Sequence, residues 1–210
     1  MVRILILGDS HIPEREREII SQVYEKLDDL SKNNLFDFIL FTGDVVNYPE
    51  FIEYLNSKSH NQMLTVMGNM DYYHGNRTAP LYQKLDIDFN DNDKITIGLT
   101  HGTKIRPRGD HIQLEKLALE KNVDILVSGH THMEEIFLTN NGILLINPGS
   151  ITGAWSFVAS RIPSFIELIV NETTKDIIVV LNQINKQSRE INELKTLFSY
   201  QNKRVIKTHF

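Results

Sequence analysis

Short apolar runs alternate with helix-like segments in the first part of the chain. The runs Val2–Leu7, 38–42 and 64–67 are almost wholly apolar, as expected of strands that are covered on both faces. Residues 16–31 carry apolar side chains at helical spacing, and residues 49–58 begin with a proline, which suits the first turn of a helix. This β-α-β-α-β order predicts parallel strands joined by right-handed crossovers.

The connections change from helices to hairpins farther along the chain. We predict a loop with a short helix at 72–84, a strand at 95–100, a helix at 112–121 and a strand at 124–128. Four closely spaced strands follow, at 135–138, 142–146, 165–170 and 177–181, with turn signals at 140–142 and 171–175. The predicted fold class is α/β, a two-sheet sandwich flanked by helices, with an N-terminal βαβαβ half and antiparallel C-terminal strands.

The last part of the chain, residues 185–210, carries more charge than the rest. Ile191, Leu194, Leu197 and Phe198 fall at i, i+3, i+6 and i+7, which favours a helix. We therefore divide the chain into one domain over residues 1–184 and a charged extension over 185–210, predicted as a helix docked on the core. A partner-binding helix is the alternative.

Composition narrows the class of protein. The chain has 210 residues, of which 41% are hydrophobic and 23% charged, as is usual for one globular domain. Its lack of cysteine excludes disulfides and thiolate metal sites and suits a reducing compartment, so we expect a cytoplasmic protein. A net charge of −5 makes nucleic acid an unlikely partner, and no apolar run approaches the roughly 20 residues of a membrane span.

Polar clusters follow five of the predicted strands, each just beyond the carboxyl end. They are Asp9-Ser10-His11, Gly43-Asp44, Gly68-Asn69, His101-Gly102 and Gly129-His130-Thr131-His132. Loops at that edge of an α/β sheet converge on one crevice, so these side chains are expected to meet. In Asp9-Ser10-His11, an extended backbone would point both outer side chains the same way.

The clusters together supply the ligands that two divalent ions need. They contribute two carboxylates, one amide oxygen and four imidazoles, and a pair of ions about 3.5–4 Å apart is the usual clamp for displacement at phosphorus. Asp44 is the candidate bridging ligand, because a carboxylate can give one oxygen to each ion. Taken singly, a Gly-Asp or Gly-Asn pair is more often a turn, so the prediction depends on all five clusters occurring in order.

With these motifs, D-x-H, G-D, G-N, H-G and G-H-x-H, the chain resembles the calcineurin-like metallophosphoesterase family over most of residues 1–184. The resemblance implies that one ion is held by Asp9, His11, Asp44 and His132. It implies that the other is held by Asp44, Asn69, His101 and His130.

Further stretches resemble one branch of that family, which holds small prokaryotic phosphodiesterases and the phosphoesterase-fold subunit of retromer (vacuolar protein sorting 29-like). They are 8–13, 97–102, 146–150 with 152–154, and 162–165, the last two matching the retromer subunit especially well. The bridging carboxylate is typically degraded in the retromer subunit, whereas Asp44 is intact here. Many active relatives carry a histidine or cysteine after the G-N asparagine, where this chain has Met70, which cannot transfer a proton.

The function expected from this resemblance is divalent-metal-dependent hydrolysis of a phosphate ester, more specifically a phosphodiester, by a hydroxide held between two ions. The catalytic residues are then Asp44 and Asn69, with His74 as a substitute proton donor, and the enzyme should be slow because of Met70. Imidazole ligands suit Mn, Fe, Co, Ni or Zn. Arg77, Arg106 and Arg108 are candidate phosphate contacts, although each is more often an ordinary surface charge.

The alternative function is a retromer-subunit-like scaffold with a vestigial or structural metal site. It predicts a large helical protein partner and no turnover. Trp155 and Phe157 could contribute an apolar contact to such a partner, although we expect core packing for at least one of them.

Overall fold

Two β-sheets face each other in the computed structural model, which describes residues 1–208. The strands are β1 (Val2–Leu7), β2 (Phe38–Phe41), β3 (Leu64–Thr65), β4 (Tyr82–Asp88), β5 (Lys94–Thr100), β6 (Ile125–Val127), β7 (Glu134–Leu138), β8 (Leu144–Pro148), β9 (Ser164–Val170), β10 (Asp176–Ile184), β11 (Ile191–Gln201) and β12 (Arg204–Lys207). The helices are α1 (Ser21–Ser31), α2 (Pro49–Asn56), α3 (Asn69–Tyr73) and α4 (His111–Lys121).

The parallel strands lie at one end of the seven-stranded sheet and in the middle of the five-stranded sheet. One sheet has seven strands in the order β12-β11-β10-β9-β1-β2-β3, and the other has five in the order β4-β5-β6-β8-β7. β1 pairs in parallel with β2, and β2 with β3, which confirms the opening prediction. β9 and β10 pair antiparallel, as do β7 and β8, which confirms the two predicted hairpins.

The core has three apolar layers, one between the sheets and one on the outer face of each sheet. Between the sheets, buried side chains such as Ile4 and Ile6 of β1 meet Ile97 and Leu99 of β5. The other face of the seven-stranded sheet packs against α1 and α2, and α4 covers the five-stranded sheet. Both sheets are therefore covered by helices on their outer faces, and the predicted two-sheet α/β sandwich is confirmed.

Three local predictions in the first half need correction. α1 begins at Ser21 rather than at residue 16, because the backbone after the first polar cluster turns back on itself, with Arg15 N donating to His11 O over 3.0 Å. The short helix begins at Asn69, before the predicted loop. The end of that loop belongs to an edge strand, residues 82–88, which pairs with all seven residues of β5.

The predicted C-terminal helix is wrong, because residues 191–201 and 204–207 are strands. β11 pairs with nine consecutive residues of β10, from Asp176 to Ile184. Phe198, Tyr200 and Val205 are almost fully buried in the core between the sheets. Residues 191–207 therefore complete the seven-stranded sheet; residues 209 and 210, the end of the predicted extension, lie outside the described residues.

Of the helices within residues 1–208, none has the length and apolar character needed to cross a membrane.

Candidate metal centre

Every predicted ligand follows a strand end, and both sheets contribute. Asp9, Asp44 and Asn69 follow β1, β2 and β3 of the seven-stranded sheet, while His101 and His130 follow β5 and β6 of the five-stranded sheet. Backbone hydrogen bonds hold the loops together, such as Asp9 N to Gly43 O at 2.9 Å and Gly129 N to His101 O at 3.1 Å. The centre therefore lies where the carboxyl ends of the parallel strands of both sheets meet.

Left-handed backbone conformations aim the ligands. Five of the seven candidate ligands have positive φ, namely Asp9 at 52°, His11 at 49°, Asp44 at 57°, His130 at 72° and His132 at 59°. The expected extended backbone at Asp9-Ser10-His11 is therefore wrong, and the side chains converge through tight left-handed turns instead. Such φ values are uncommon outside glycine and cluster at functional sites, which supports a ligand-holding role for these loops.

Six of the candidate ligands come together in a small buried cluster. Asp9, His11 and His132 offer ligand atoms within 4.8 Å of one another, and Asp9, Asp44 and His101 form a second such group. Asp44 Oδ2 lies 3.4 Å from His11 Nε2 and 3.3 Å from His101 Nε2, so this oxygen lies between the two histidines. Both carboxylates thus lie centrally. His130 is tied to the same cluster, since its backbone N–H donates to Asp9 Oδ2 over 3.1 Å.

The cluster contains polar atoms that the protein itself leaves without partners. Among residues 1–208 these buried atoms have no hydrogen-bond partner: Asp9 Oδ1, His11 Nδ1, Asn69 Oδ1, His101 Nε2 and His130 Nε2. A buried polar atom without a partner costs on the order of 1–3 kcal/mol, so several in one place indicate a site that binds a ligand. Carboxylate, amide and imidazole donors without any thiolate fit divalent transition-metal ions.

The charges of the cluster are mutually adjusted. Burial would raise the pKa of Asp9, but His132 and His101 hold it well below its usual value. Burial would also raise the pKa of Asp44, but His101 holds it below its usual value. Burial would lower the pKa of His101, but Asp44 raises it to about 9. Burial, together with His101 and Arg108, lowers the pKa of His130 to about 3. At neutral pH, both carboxylates are therefore ionised and His130 is neutral, the forms in which they bind metal.

Asp71 accepts three hydrogen bonds from backbone N–H groups and so holds the Gly43-Asp44 loop in place, a role that sequence reasoning missed. Its buried carboxylate accepts from Asp44 N at 2.7 Å and Gly68 N at 2.9 Å, and from Val46 N at 3.0 Å. It thereby ties the loop that carries Asp44 to the loop that carries Asn69. Its place two residues after Asn69 was the only sequence signal for this function.

A second supporting segment, residues 147–154, holds the first and last ligand loops. Ser150 Oγ donates to Asp9 O over 2.7 Å, and Thr152 Oγ1 donates to Ser10 O over 2.9 Å. Asn147 Nδ2 donates to Gly129 O over 3.1 Å, and Ala154 O accepts from His132 Nδ1 at 2.9 Å. Since Nδ1 of His132 is hydrogen-bonded to the backbone, its Nε2 faces the cluster, 3.0 Å from His11 Nε2 and 3.3 Å from Asp9 Oδ1.

Close approach of the backbone explains two of the glycines. A Cβ atom on Gly68 would lie 1.9 Å from Asp44 Oδ1, and one on Gly129 would lie 2.6 Å from Asp9 Oδ2. Any side chain at these positions would displace a carboxylate of the centre.

His74 and Met70 differ from the ligands in their placement. His74, at the end of α3, forms its ion pair with Glu14 and is 42% exposed, so it lies outside the two buried ligand groups. The backbone N–H of Met70 donates to Asp44 Oδ1 over 2.8 Å, so the main chain at this position orients the carboxylate. The Met70 side chain supplies no proton donor there.

Of the three arginines singled out from the sequence, Arg108 lies beside the ligands. It is half-buried, and its Nη1 donates to His130 O over 3.4 Å. Arg77 instead packs over the ring of Tyr72 at 4.1 Å from the centroid, and Arg106 is exposed.

Trp155 and Phe157 are 45% and 81% exposed, so the expectation that one of them packs in the core is wrong. Hydrogen bonds of Ala154 and Ser156 to the ligand loops fix the main chain here and leave the intervening rings outside.

Comparison with known proteins agrees with this geometry. Residues 2–168 match the model of the calcineurin-like phosphoesterase superfamily domain. A probable metallophosphoesterase of Methanocaldococcus jannaschii is 35% identical over 147 residues, which cover 70% of this chain and 67% of that protein.

Two solved structures show the same fold over nearly the whole chain. Vacuolar protein sorting 29 from Cryptosporidium parvum has a TM-score of 0.80 at 28% identity, covering 94% of this chain and 98% of that one. The zinc complex of the Entamoeba histolytica protein of the same name has a TM-score of 0.74 at 25% identity, covering 92% and 99%. The buried ligand cluster, the domain match and these relatives together show that the chain belongs to the calcineurin-like phosphoesterase superfamily.

Proposed function

We propose that this protein is a metal-dependent phosphodiesterase. The observation that carries the proposal is the set of buried, unpartnered donor atoms of Asp9, Asn69, His101 and His130, which lie at the convergence of both sheets. Relatives named as probable metallophosphoesterases support phosphoesterase activity in general. The zinc complex of a structural relative supports the binding of a divalent ion by a protein of this fold.

The chain's residues fit a two-ion arrangement. Asp9, His11 and His132 would hold one ion, while Asn69, His101 and His130 would hold the other, with Asp44 between them because its Oδ2 lies near histidines of both sets. When bound, two divalent ions supply the positive charge that activates a water nucleophile and neutralises the phosphoryl oxygens. Mn, Fe, Co, Ni and Zn all suit these ligands.

Arg108 is suited to orienting the substrate phosphate. Its guanidinium is held near His130, and burial together with the neighbouring Arg106 and Arg15 lowers the pKa of Arg108. A cation that is partly desolvated and close to other cations gains from binding an anion, and guanidinium matches the geometry of phosphate oxygens.

Met70 makes the proposed enzyme slow and dependent on good leaving groups. A positioned general acid contributes roughly 10²–10⁴-fold, and the Met70 thioether cannot act as one. We propose His74 as the nearest substitute in sequence; its imidazole contacts the carboxylate of Glu14. The absence of cysteine supports a cytoplasmic setting, and the net charge of −5 supports a substrate other than long nucleic acid.

Hydrolysis of bis(4-nitrophenyl) phosphate with added Mn²⁺ tests the proposal, with Asp44→Asn as the comparison. The wild type should release nitrophenol only when metal is present, and the rate of Asp44→Asn should be at least 100-fold lower. Asp88→Asn, an exposed carboxylate outside the centre, is the matched control and should keep the full rate. Equal rates for Asp44→Asn and the wild type would overturn the proposal.

A protein-binding scaffold is the second candidate function. The fold of vacuolar protein sorting 29 and the exposed Trp155–Phe157 pair, with Val158 also 44% exposed, favour it. In that case a large helical protein would bind beside the centre and the metals would be structural. Metal-loaded wild type without turnover on any activated diester, together with a complex that Phe157→Ser weakens, would favour this function over hydrolysis.

A further inference from the structure

A large cavity opens beside the proposed second ion. Its volume is about 810 Å³, and its lining begins at Asn69 and His101, two of the candidate ligands. It extends from there along α3, the start of β4 and the outer surface of α4. Volumes of roughly 300–1,000 Å³ are typical of sites for organic ligands, and a small alkyl ester would leave most of this space empty.

Aromatic side chains form much of the cavity wall. Tyr72, Tyr73 and Tyr82 line it, and Tyr72 and Tyr73 are 45% and 76% exposed. The cavity thus offers faces on which a flat ring can stack.

The cavity is also cationic, although the whole protein is acidic. Lys104, Lys116 and Lys121 line it, against the single carboxylate of Glu120. Lys104 has no hydrogen bond or ion pair within residues 1–208, and Lys116 reaches Glu120 only at 3.8 Å with a side chain that is 75% exposed. Lys121 lies 5.2 Å from the centroid of the Tyr82 ring. These cations attract a negative group beyond the one that the metal centre would hold.

From the cavity's position, its aromatic walls and its lysines, we infer that one ester group of the substrate is a nucleotide-like unit: a flat aromatic ring that carries a second phosphate. The inference rests on the proposed function, because it places the scissile phosphate at the metal centre. The ring lies among the three tyrosines, and the second phosphate lies near Lys104 and Lys116. The site is therefore selective for diesters of nucleotides over small alkyl diesters.

Binding calorimetry on the metal-loaded protein tests this inference without requiring turnover. The probes are inorganic phosphate, 1,2-dideoxyribose 3,5-bisphosphate and thymidine 3′,5′-bisphosphate, which add first a second phosphate and then a base. We expect Kd to fall at least fivefold at each addition. Equal affinity of the two bisphosphates would overturn the aromatic part, and equal affinity of phosphate and the abasic bisphosphate would overturn the cationic part.

Charge reversal locates the binding. In Lys104→Glu/Lys116→Glu, Kd for both bisphosphates should rise at least tenfold more than Kd for inorganic phosphate. Lys32→Glu/Lys207→Glu makes the same change in net charge at exposed positions away from the cavity, and the ratios of Kd should match those of the wild type. Parallel changes in both double variants would show a non-specific charge effect and overturn the inference.

The outcomes separate this inference from the proposed function. If the probes bind as expected but no diester is hydrolysed, the cavity assignment stands and the phosphodiesterase proposal fails. If diesters are hydrolysed but the three probes bind equally, the cavity assignment fails alone.

Discussion

At the scale of single residues, the candidate metal ligands lie where short apolar strands end. Asp9, Asp44 and Asn69 each follow a short apolar run, and parallel strands bring such positions to one edge of a sheet. The residues that support these ligands are positioned differently. Asp71 and Ser150 act through hydrogen bonds to backbone atoms of distant loops, so their roles depend on contacts that no local pattern reveals.

At position 70, a proton donor should restore rate where the leaving group is poor. Met70→His keeps the backbone N–H that orients Asp44 and adds an imidazole that can protonate a leaving oxygen. We expect kcat for a phenyl phosphodiester to rise by about 10²-fold, with a smaller gain for the nitrophenyl ester, whose leaving group needs no proton. Met70→Leu is the matched control and should change neither rate. A similar gain for both esters would contradict a general-acid role at this position.

Metal affinity should increase with pH because of His101. Its pKa is raised to about 9 by the carboxylates of Asp44 and Asp9, so a metal ion must displace a proton at neutral pH. Affinity should therefore rise about tenfold per pH unit between pH 7 and 8.5 and level off as pH passes the raised pKa. Competition with a chelator of known affinity for Mn²⁺ gives the slope. A flat profile across this window would contradict the protonated state assigned to His101.

The C-terminal strands show why helical spacing alone misled the prediction of elements. Ile191, Leu194 and Leu197 fit a helical stripe, yet β10 is a long strand whose free edge needs a partner, and a tight turn at 185–190 places β11 along it. Pairing across nine residues outweighs a weak local preference for helix. β4 was missed for a related reason: as an edge strand of alternating charged and apolar residues, it resembles a loop in composition.

Truncating Phe198 tests whether residues 191–207 are part of the core. Phe198 is 2% exposed and packs between the sheets, so Phe198→Ala should lower the free energy of unfolding by about 3–5 kcal/mol. Leu194→Ala, at a position 48% exposed on the same strand, should cost less than about 1 kcal/mol. Urea denaturation measures both. A small effect for Phe198→Ala would indicate that these strands are peripheral to the fold.

At the scale of the whole molecule, the metal centre depends on both sheets. The seven-stranded sheet supplies the candidate ligands Asp9, Asp44 and Asn69 after its parallel strands β1, β2 and β3, and the five-stranded sheet supplies His101 and His130. The sequence predicted the two sheets and the shared edge. It could not predict how tightly the backbone turns there, since five ligands adopt positive φ without being glycine. Hydrogen bonds from Asp71 and from residues 147–154 hold the loops that contain these turns.

The central claim is that two divalent ions, held by one chain, are required for phosphodiester hydrolysis. It is tested most directly by titrating metal-free protein with Mn²⁺ and measuring the hydrolysis of bis(4-nitrophenyl) phosphate at each ratio of metal to protein. The rate should stay low up to one equivalent per chain, rise steeply and reach its plateau at two. Full rate at one equivalent, or turnover that persists in excess chelator, would contradict the claim.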